Sequence, residues 1–158
     1  MGYEQIFRLD GRKALVAGAS RGIGAAIARG LAGAGAHTVL AARTQESLEN
    51  EAAGLREQGY SVETALLDVT DPDRVEALVE RHGDADILVN VAGKNIRNAF
   101  VDYDADEYAR LLSVNLHGLV RLTQITGKRM IEKRRGGKVV FIGSLLSSEG
   151  LPNISIYT

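Results

Sequence analysis

The chain has 158 residues, 45% hydrophobic and 25% charged, which is enough apolar material for the core of one ordinary domain and argues against disorder or a fibre. Lysine and arginine number 19 against 20 acids, a formal net charge of -1, so no overall field recruits nucleic acid or an anionic membrane surface. Cysteine is absent, which excludes a disulfide framework, a thiolate zinc site and a cysteine nucleophile, and suits a reducing cytosol.

The first segment, MGYEQIFRLDGRK, contains acids and lacks an apolar stretch of signal-peptide length. Met1-Gly2 does not open a myristoylation signal, because position 6 is Ile6. No later run approaches the roughly 20 apolar residues of a membrane span. The expectation is a soluble, cytoplasmic protein with no membrane and no nucleic acid among its partners.

The rhythm of the chain is that of βαβ units. KALVAGA (13 to 19) reads as a buried strand, and the following helix places Ile23, Ile27, Leu31 and Ala34 on one face. TVLAA (38 to 42) is a second strand. Thr44 caps a helix with Leu48, Ala52 and Leu55 on one side, and Gly59 suits its stop. SVETALLDV is a third strand, after which Asp71-Pro72 starts a helix that buries Val75, Leu78 and Val79 and ends near Gly83. DILVNVAG is a fourth strand, a long helix runs from Asp104 to Arg134, and KVVFIGS is a fifth strand. The basic run Lys128 to Lys138 is the solvated end of that helix, where cations are favoured. With no repeat, low-complexity tract or linker, residues 1–158 form one domain. Right-handed crossovers make it an α/β fold with a doubly wound parallel sheet.

AGASRGIG follows the first strand and opens the first long helix, with Gly18, Gly22 and Gly24 in a G-x-x-x-G-x-G spacing. Glycines there let the backbone turn tightly and approach a pyrophosphate, whose charge then meets the free N–H groups of the helix start. In such folds an acid about 20 residues further on binds a ribose 2′-hydroxyl, whereas an arginine accommodates a 2′-phosphate. Here the second strand ends Ala41-Ala42-Arg43 with no carboxylate, so Arg43 and Arg21 favour NADP(H) over NAD(H). The plainer reading of Arg43 is an exposed loop residue.

In order along the chain, these motifs resemble the short-chain dehydrogenase/reductase family, with its Rossmann fold, from Leu9 to Thr158. The family's T-G-x-x-x-G-I-G is similar to Ala17-Gly18-Ala19-Ser20-Arg21-Gly22-Ile23-Gly24, with alanine for the first threonine. Its adenine-contacting aspartate is matched by Asp68, followed by Val69, and its N-N-A-G motif by Asn90-Val91-Ala92-Gly93, with the second asparagine lost. The resemblance implies that Asn115, Ser144 and Tyr157 are catalytic. Ser144 would hydrogen-bond a substrate carbonyl, Tyr157 would deliver a proton to it, and Asn115 would anchor a water in the relay.

The family motif Y-x-x-x-K puts its lysine at position 161, beyond Thr158. A free tyrosine has a pKa of about 10, and in the family the lysine cation lowers it. The resemblance therefore implies the N-terminal part of a longer fold, incomplete at its C-terminal side, and a chain inactive by itself. The fifth strand becomes an open sheet edge, and exposed apolar surface then predicts association into a dimer or tetramer. The loops 94 to 100 and 145 to 155 are similar to the sugar-acid branch, the gluconate 5-dehydrogenases, where Arg97 holds a carboxylate or faces solvent. The substrate implied is a small carbonyl or alcohol. A 3-oxoacyl-carrier-protein reductase and a non-catalytic nucleotide-binding module are the alternatives. His37, His82 and His117 share no metal-ligand spacing and read as structural or surface residues, so no metal is expected.

Overall fold

The computed structural model describes residues 3–157, and Met1, Gly2 and Thr158, with the myristoylation question, lie outside them. The elements are α1 (Tyr3–Ile6), β1 (Lys13–Ala17), α2 (Gly22–Gly33), β2 (His37–Ala42), α3 (Gln45–Glu57), β3 (Val62–Leu66), α4 (Pro72–His82), β4 (Ile87–Asn90), α5 (Ala105–Leu112), α6 (Leu119–Lys133) and β5 (Lys138–Phe141). The five strands form one parallel sheet in the order β3-β2-β1-β4-β5, so the winding reverses between β1 and β4. This is the expected doubly wound, Rossmann-like architecture.

Period-2 alternation sorts each strand between two helix layers. Leu15, Val39 and Leu88 face α4 and α6, where they meet Val75, Leu78, Val79, Leu122 and Met130. Val16, Leu40 and Val89 face the other way, onto Ala28 and Ala32 of α2 and Leu48, Ala52 and Leu55 of α3. Leu15, Leu40, Leu48, Leu88 and Leu122 lose essentially all contact with water, each contributing about 1.5 to 3 kcal/mol.

Several boundaries and faces differ from the sequence expectation. The first strand stops at Ala17 rather than residue 19, because Gly18 turns away at φ 100. In α2 the face against the sheet is Gly24, Ala25, Ala28 and Ala32, whereas Ile27 and Leu31 are half-buried on its flank and Ile23 is 61% exposed. Small residues let this helix approach the sheet closely, and that outweighs the pull of the larger side chains. Thr44 is the N-cap of α3, yet its side chain makes no capping hydrogen bond. Asp71 behaves as expected: Oδ1 accepts from the N–H groups of Asp73 and Arg74 at 3.0 and 3.2 Å, with Pro72 at the first helical position.

The expected single long helix is α5 and α6 joined by a π-helical segment, Ser113–Gly118. Ser113 Oγ donates to the Ala109 carbonyl at 2.7 Å, the back-bonding that bends helices. At the other end, a Cβ on Gly118 would collide with the Val69 carbonyl, so only glycine fits where the segment crosses the loop after β3. β5 is an edge strand, with Val139, Val140 and Phe141 exposed by 40 to 51%.

Candidate functional site

Parallel register brings the strand ends to one edge. Ala17 pairs with Asn90 and Asn90 with Phe141, so three residues further on Ser20, Gly93 and Ser144 leave the same rim of the sheet. The carbonyl of Ala17 accepts from both Val91 and Ala92 at 2.9 and 2.8 Å, and the carbonyl of Ala41 from Gly18 and Ala19 at 2.7 and 3.1 Å. These bonds hold the turns after β1, β2 and β4 against one another, around a cleft of about 610 Å³ at the point where the winding reverses.

The cleft is lined by Gly18, Ser20, Arg21, Gly22, Ile23 and Gly24 from the first turn, Arg43 from the second, Asp68 and Val69 from the third, and Ala92 and Gly93 from the fourth. A Cβ on Gly18 would stand 2.6 Å from the Ala92 nitrogen, and one on Gly24 would strike the Gly18 carbonyl. Gly22, at φ 56, has open space where its side chain would be, the cradle a pyrophosphate requires. Arg21 is the N-cap of α2 and makes no side-chain cap bond, which leaves the first N–H groups of the helix facing the cleft.

Among the described residues, Arg21, Arg43 and Lys94 are the cations of the lining and Asp68 its only acid. Burial works against the Asp68 carboxylate, but hydrogen bonds from the hydroxyl and N–H of Thr70 at 2.7 and 2.9 Å, with Arg43 and Arg74 nearby, hold its pKa below the usual range. The site is therefore a cationic pocket with one fixed carboxylate, suited to an anionic dinucleotide. Among the described residues no cluster of His, Asp or Glu has metal-binding geometry.

Asn90 is placed differently from the other cofactor-site candidates. It is 1% exposed and absent from the lining; Nδ2 donates to Thr123 Oγ1 of α6 at 3.0 Å, so this side chain ties the sheet to a helix. Asn115 comes to the cleft's rim, its amide bonded to the backbone of Lys94. Ser144 and Tyr157 do not line the cleft. Ser144 Oγ accepts from Leu146 N–H at 3.1 Å, and half-buried Tyr157 is held by its N–H on the Ile154 carbonyl at 2.9 Å. Sequence reasoning missed Ser47, Lys94 and Val114 as lining residues and took Thr44 only for a cap. The hydroxyls of Thr44 and Ser47, three residues apart at the start of α3 and directly after Arg43, were the available signal.

The family described as short chain dehydrogenase matches residues 12–158. Gluconate 5-dehydrogenase of Gluconobacter oxydans (strain 621H) is 40% identical over 162 residues, covering 100% of this chain and 63% of that protein. The crystal structure of a gluconate 5-dehydrogenase from Burkholderia cenocepacia J2315, in complex with NADP and tartrate, superposes with a TM-score of 0.88 at 36% identity, covering 99% of this chain and 62% of that one. A 3-oxoacyl (acyl-carrier-protein) reductase from Agrobacterium tumefaciens C58 with NADP bound gives a TM-score of 0.91 at 35% identity over 99% of this chain and 62% of its own. The chain thus spans a little under two thirds of the length of these relatives. With the glycine turn, the parallel sheet and the cationic cleft in the family's arrangement, the chain belongs to the short chain dehydrogenases.

Proposed function

We propose that this chain is the cofactor-holding part of an NADP(H)-dependent oxidoreductase that interconverts a carbonyl and a secondary alcohol on a small sugar acid. The observation that carries the proposal is the cleft at the winding reversal, where Arg21 and Arg43 flank the end of β2 and no carboxylate stands on that strand. In the NADP reading Arg43, with the hydroxyls of Thr44 and Ser47 beside it, takes the 2′-phosphate. Gly18 to Gly24 would hold the pyrophosphate, and Asp68 and Val69 would border the adenine.

When bound, a nicotinamide cofactor would supply or accept a hydride, two electrons and one hydrogen nucleus, at the substrate carbon. Ser144 donates a hydrogen bond to the carbonyl oxygen and Tyr157 gives that oxygen its proton, leaving an alcohol. The proton runs backward when the alcohol is oxidised. Asn115 holds the backbone of Lys94 at the cleft's end, where a water relay reaches Tyr157 in the family scheme. Lys94 and Arg97 on the loop after β4 offer cations to a substrate carboxylate, and the gluconate-acting relatives support that class. The second reading, 3-oxoacyl-carrier-protein reduction, draws support from a structural relative of that kind.

Residues 1–158 are taken as one dinucleotide-binding domain of a longer cytoplasmic fold that associates as a dimer or tetramer. The exposed apolar run Val139–Ile142 on the edge strand supports a cover of further chain or another subunit. The test is calorimetric binding of NADPH and NADH to the chain, with intact mass and size-exclusion analysis beside it, followed by NADPH formation from gluconate in the enzyme that carries the chain. Tight NADPH binding with gluconate oxidation supports the proposal. Binding without turnover on any keto or hydroxy acid leaves a nucleotide-binding module, and absence of binding overturns both.

A further inference from the structure

The segment between Ser144 and Tyr157 carries two of the proposed catalytic groups, yet from Leu145 to Asn153 it is exposed apart from half-buried Leu146. Such a segment has little core of its own to hold its ends in place. The Asn153 carbonyl ties it to the body of the protein, accepting from Asn98 N–H at 2.9 Å and lying 3.3 Å from the Tyr103 hydroxyl. That hydroxyl donates to the Ile96 carbonyl at 2.7 Å and accepts from Asn98 N–H at 3.2 Å. The Asn98 side chain completes the knot, with Nδ2 donating to the Asp102 carbonyl and Oδ1 accepting from Ala99 N–H, both at 3.0 Å. One phenol oxygen therefore touches backbone groups at Ile96 and Asn98 on one segment and at Asn153, 50 residues from Tyr103, on the other. Directly after the knot Ile154 is buried, and its carbonyl receives the N–H of Tyr157.

We propose that Tyr103 is a positioning residue: through Asn98 and Asn153 it sets the stance of Tyr157 and of the loop bearing Lys94 and Arg97. The inference rests on the proposed role of Tyr157 as proton donor. A proton donor must stand within hydrogen-bond reach of its substrate, and a shift of about 1 Å from remote changes costs about 100-fold in rate. Asn153 sits at φ 64, a conformation asparagine tolerates and a β-branched residue resists, so the turn is set by backbone as well as by the clasp.

Y103F removes one oxygen and keeps the ring. Amide hydrogen exchange is read on the chain itself, and turnover in the enzyme that carries it. In Y103F the amides of Asn98 and Tyr157 exchange about tenfold faster, those of Gly18 to Gly24 are unchanged, the NADPH Kd stays within about twofold, and kcat for gluconate falls about tenfold. N153V, which leaves Tyr103 intact but strains the turn, gives the same pattern, and melting curves confirm that both variants are folded. Unchanged Tyr157 exchange and full activity in Y103F, beside an inactive Y157F, overturn the positioning role alone. Full activity in Y157F overturns the catalytic reading and the positioning role with it.

Discussion

The carboxamide of Asn115 grips the backbone of Lys94 from both sides, Oδ1 accepting its N–H at 2.9 Å and Nδ2 donating to its carbonyl at 2.8 Å. The π-helical segment that carries Asn115 turns its side chain toward the loop after β4, so an interruption in one helix fixes a loop on the cleft. N115A leaves both Lys94 groups without this partner. We expect a loss of about 1 to 2 kcal/mol in urea unfolding, with the largest change in exchange at Lys94. An unchanged unfolding midpoint would show that water replaces the amide at no cost.

Arg43 tests the choice of cofactor. A cation on a phosphate oxygen makes a charge-assisted contact that NADH lacks. R43A raises the calorimetric Kd for NADPH about 10- to 100-fold and changes that for NADH less than about threefold. Equal losses for both cofactors would place Arg43 on the shared part of the dinucleotide.

Gly18 and Gly24 pack backbone against backbone. At Gly18 a methyl would meet Ala92 at 2.6 Å and the residue already sits at φ 100; at Gly24 it would meet the Gly18 carbonyl. G18A and G24A each destabilise by about 2 to 4 kcal/mol in chemical unfolding and abolish measurable NADPH binding. G22A is milder in unfolding, about 1 kcal/mol, since only its φ is strained.

His82 gives the fold a pH dependence. It is 2% exposed, neither ring nitrogen has a hydrogen-bond partner among the described residues, and Nδ1 lies 3.7 Å from Glu63 Oε2. Burial lowers its pKa first, Lys13 and Arg81 lower it further, and Glu63 and Asp84 oppose them. With the folded value below the ordinary 6.5, the unfolded chain binds the proton first. Stability is therefore intact above about pH 6.5 and lost as pH falls from there through the folded value. The unfolding free energy of the wild type is lower at about pH 5.5 than at about pH 7.5, and H82L removes most of that difference. A slope that survives in H82L assigns it to other groups.

The strands, the caps and the glycine turn were legible because each is local. Alternation in Leu15-Val16, Asp71-Pro72 at a helix start, and glycines between a strand and a helix carry their meaning within a few residues. The fold class followed from their order. The faces of α2 were not legible, since close approach of alanines to the sheet competes with the burial of isoleucine and only the packed distance decides between them. Asn90 shows the same limit: its motif suggested the cleft, whereas Thr123, 33 residues away, draws its side chain into the interior.

From its own residues the chain thus determined a parallel, glycine-turned dinucleotide fold and the glycine turn at its cleft, through propensities and periods that act over one or two turns. The tertiary structure alone decided that the helix before β5 breaks at Ser113–Gly118, that Thr44 and Ser47 join Arg43 at the cleft, and that Tyr103 ties Asn98 to Asn153. The decisive contacts, Gly118 against Val69 and Tyr103 beside Asn153, join segments far apart in sequence, where loop-closure entropy and close packing outweigh any preference that a single stretch of chain can express.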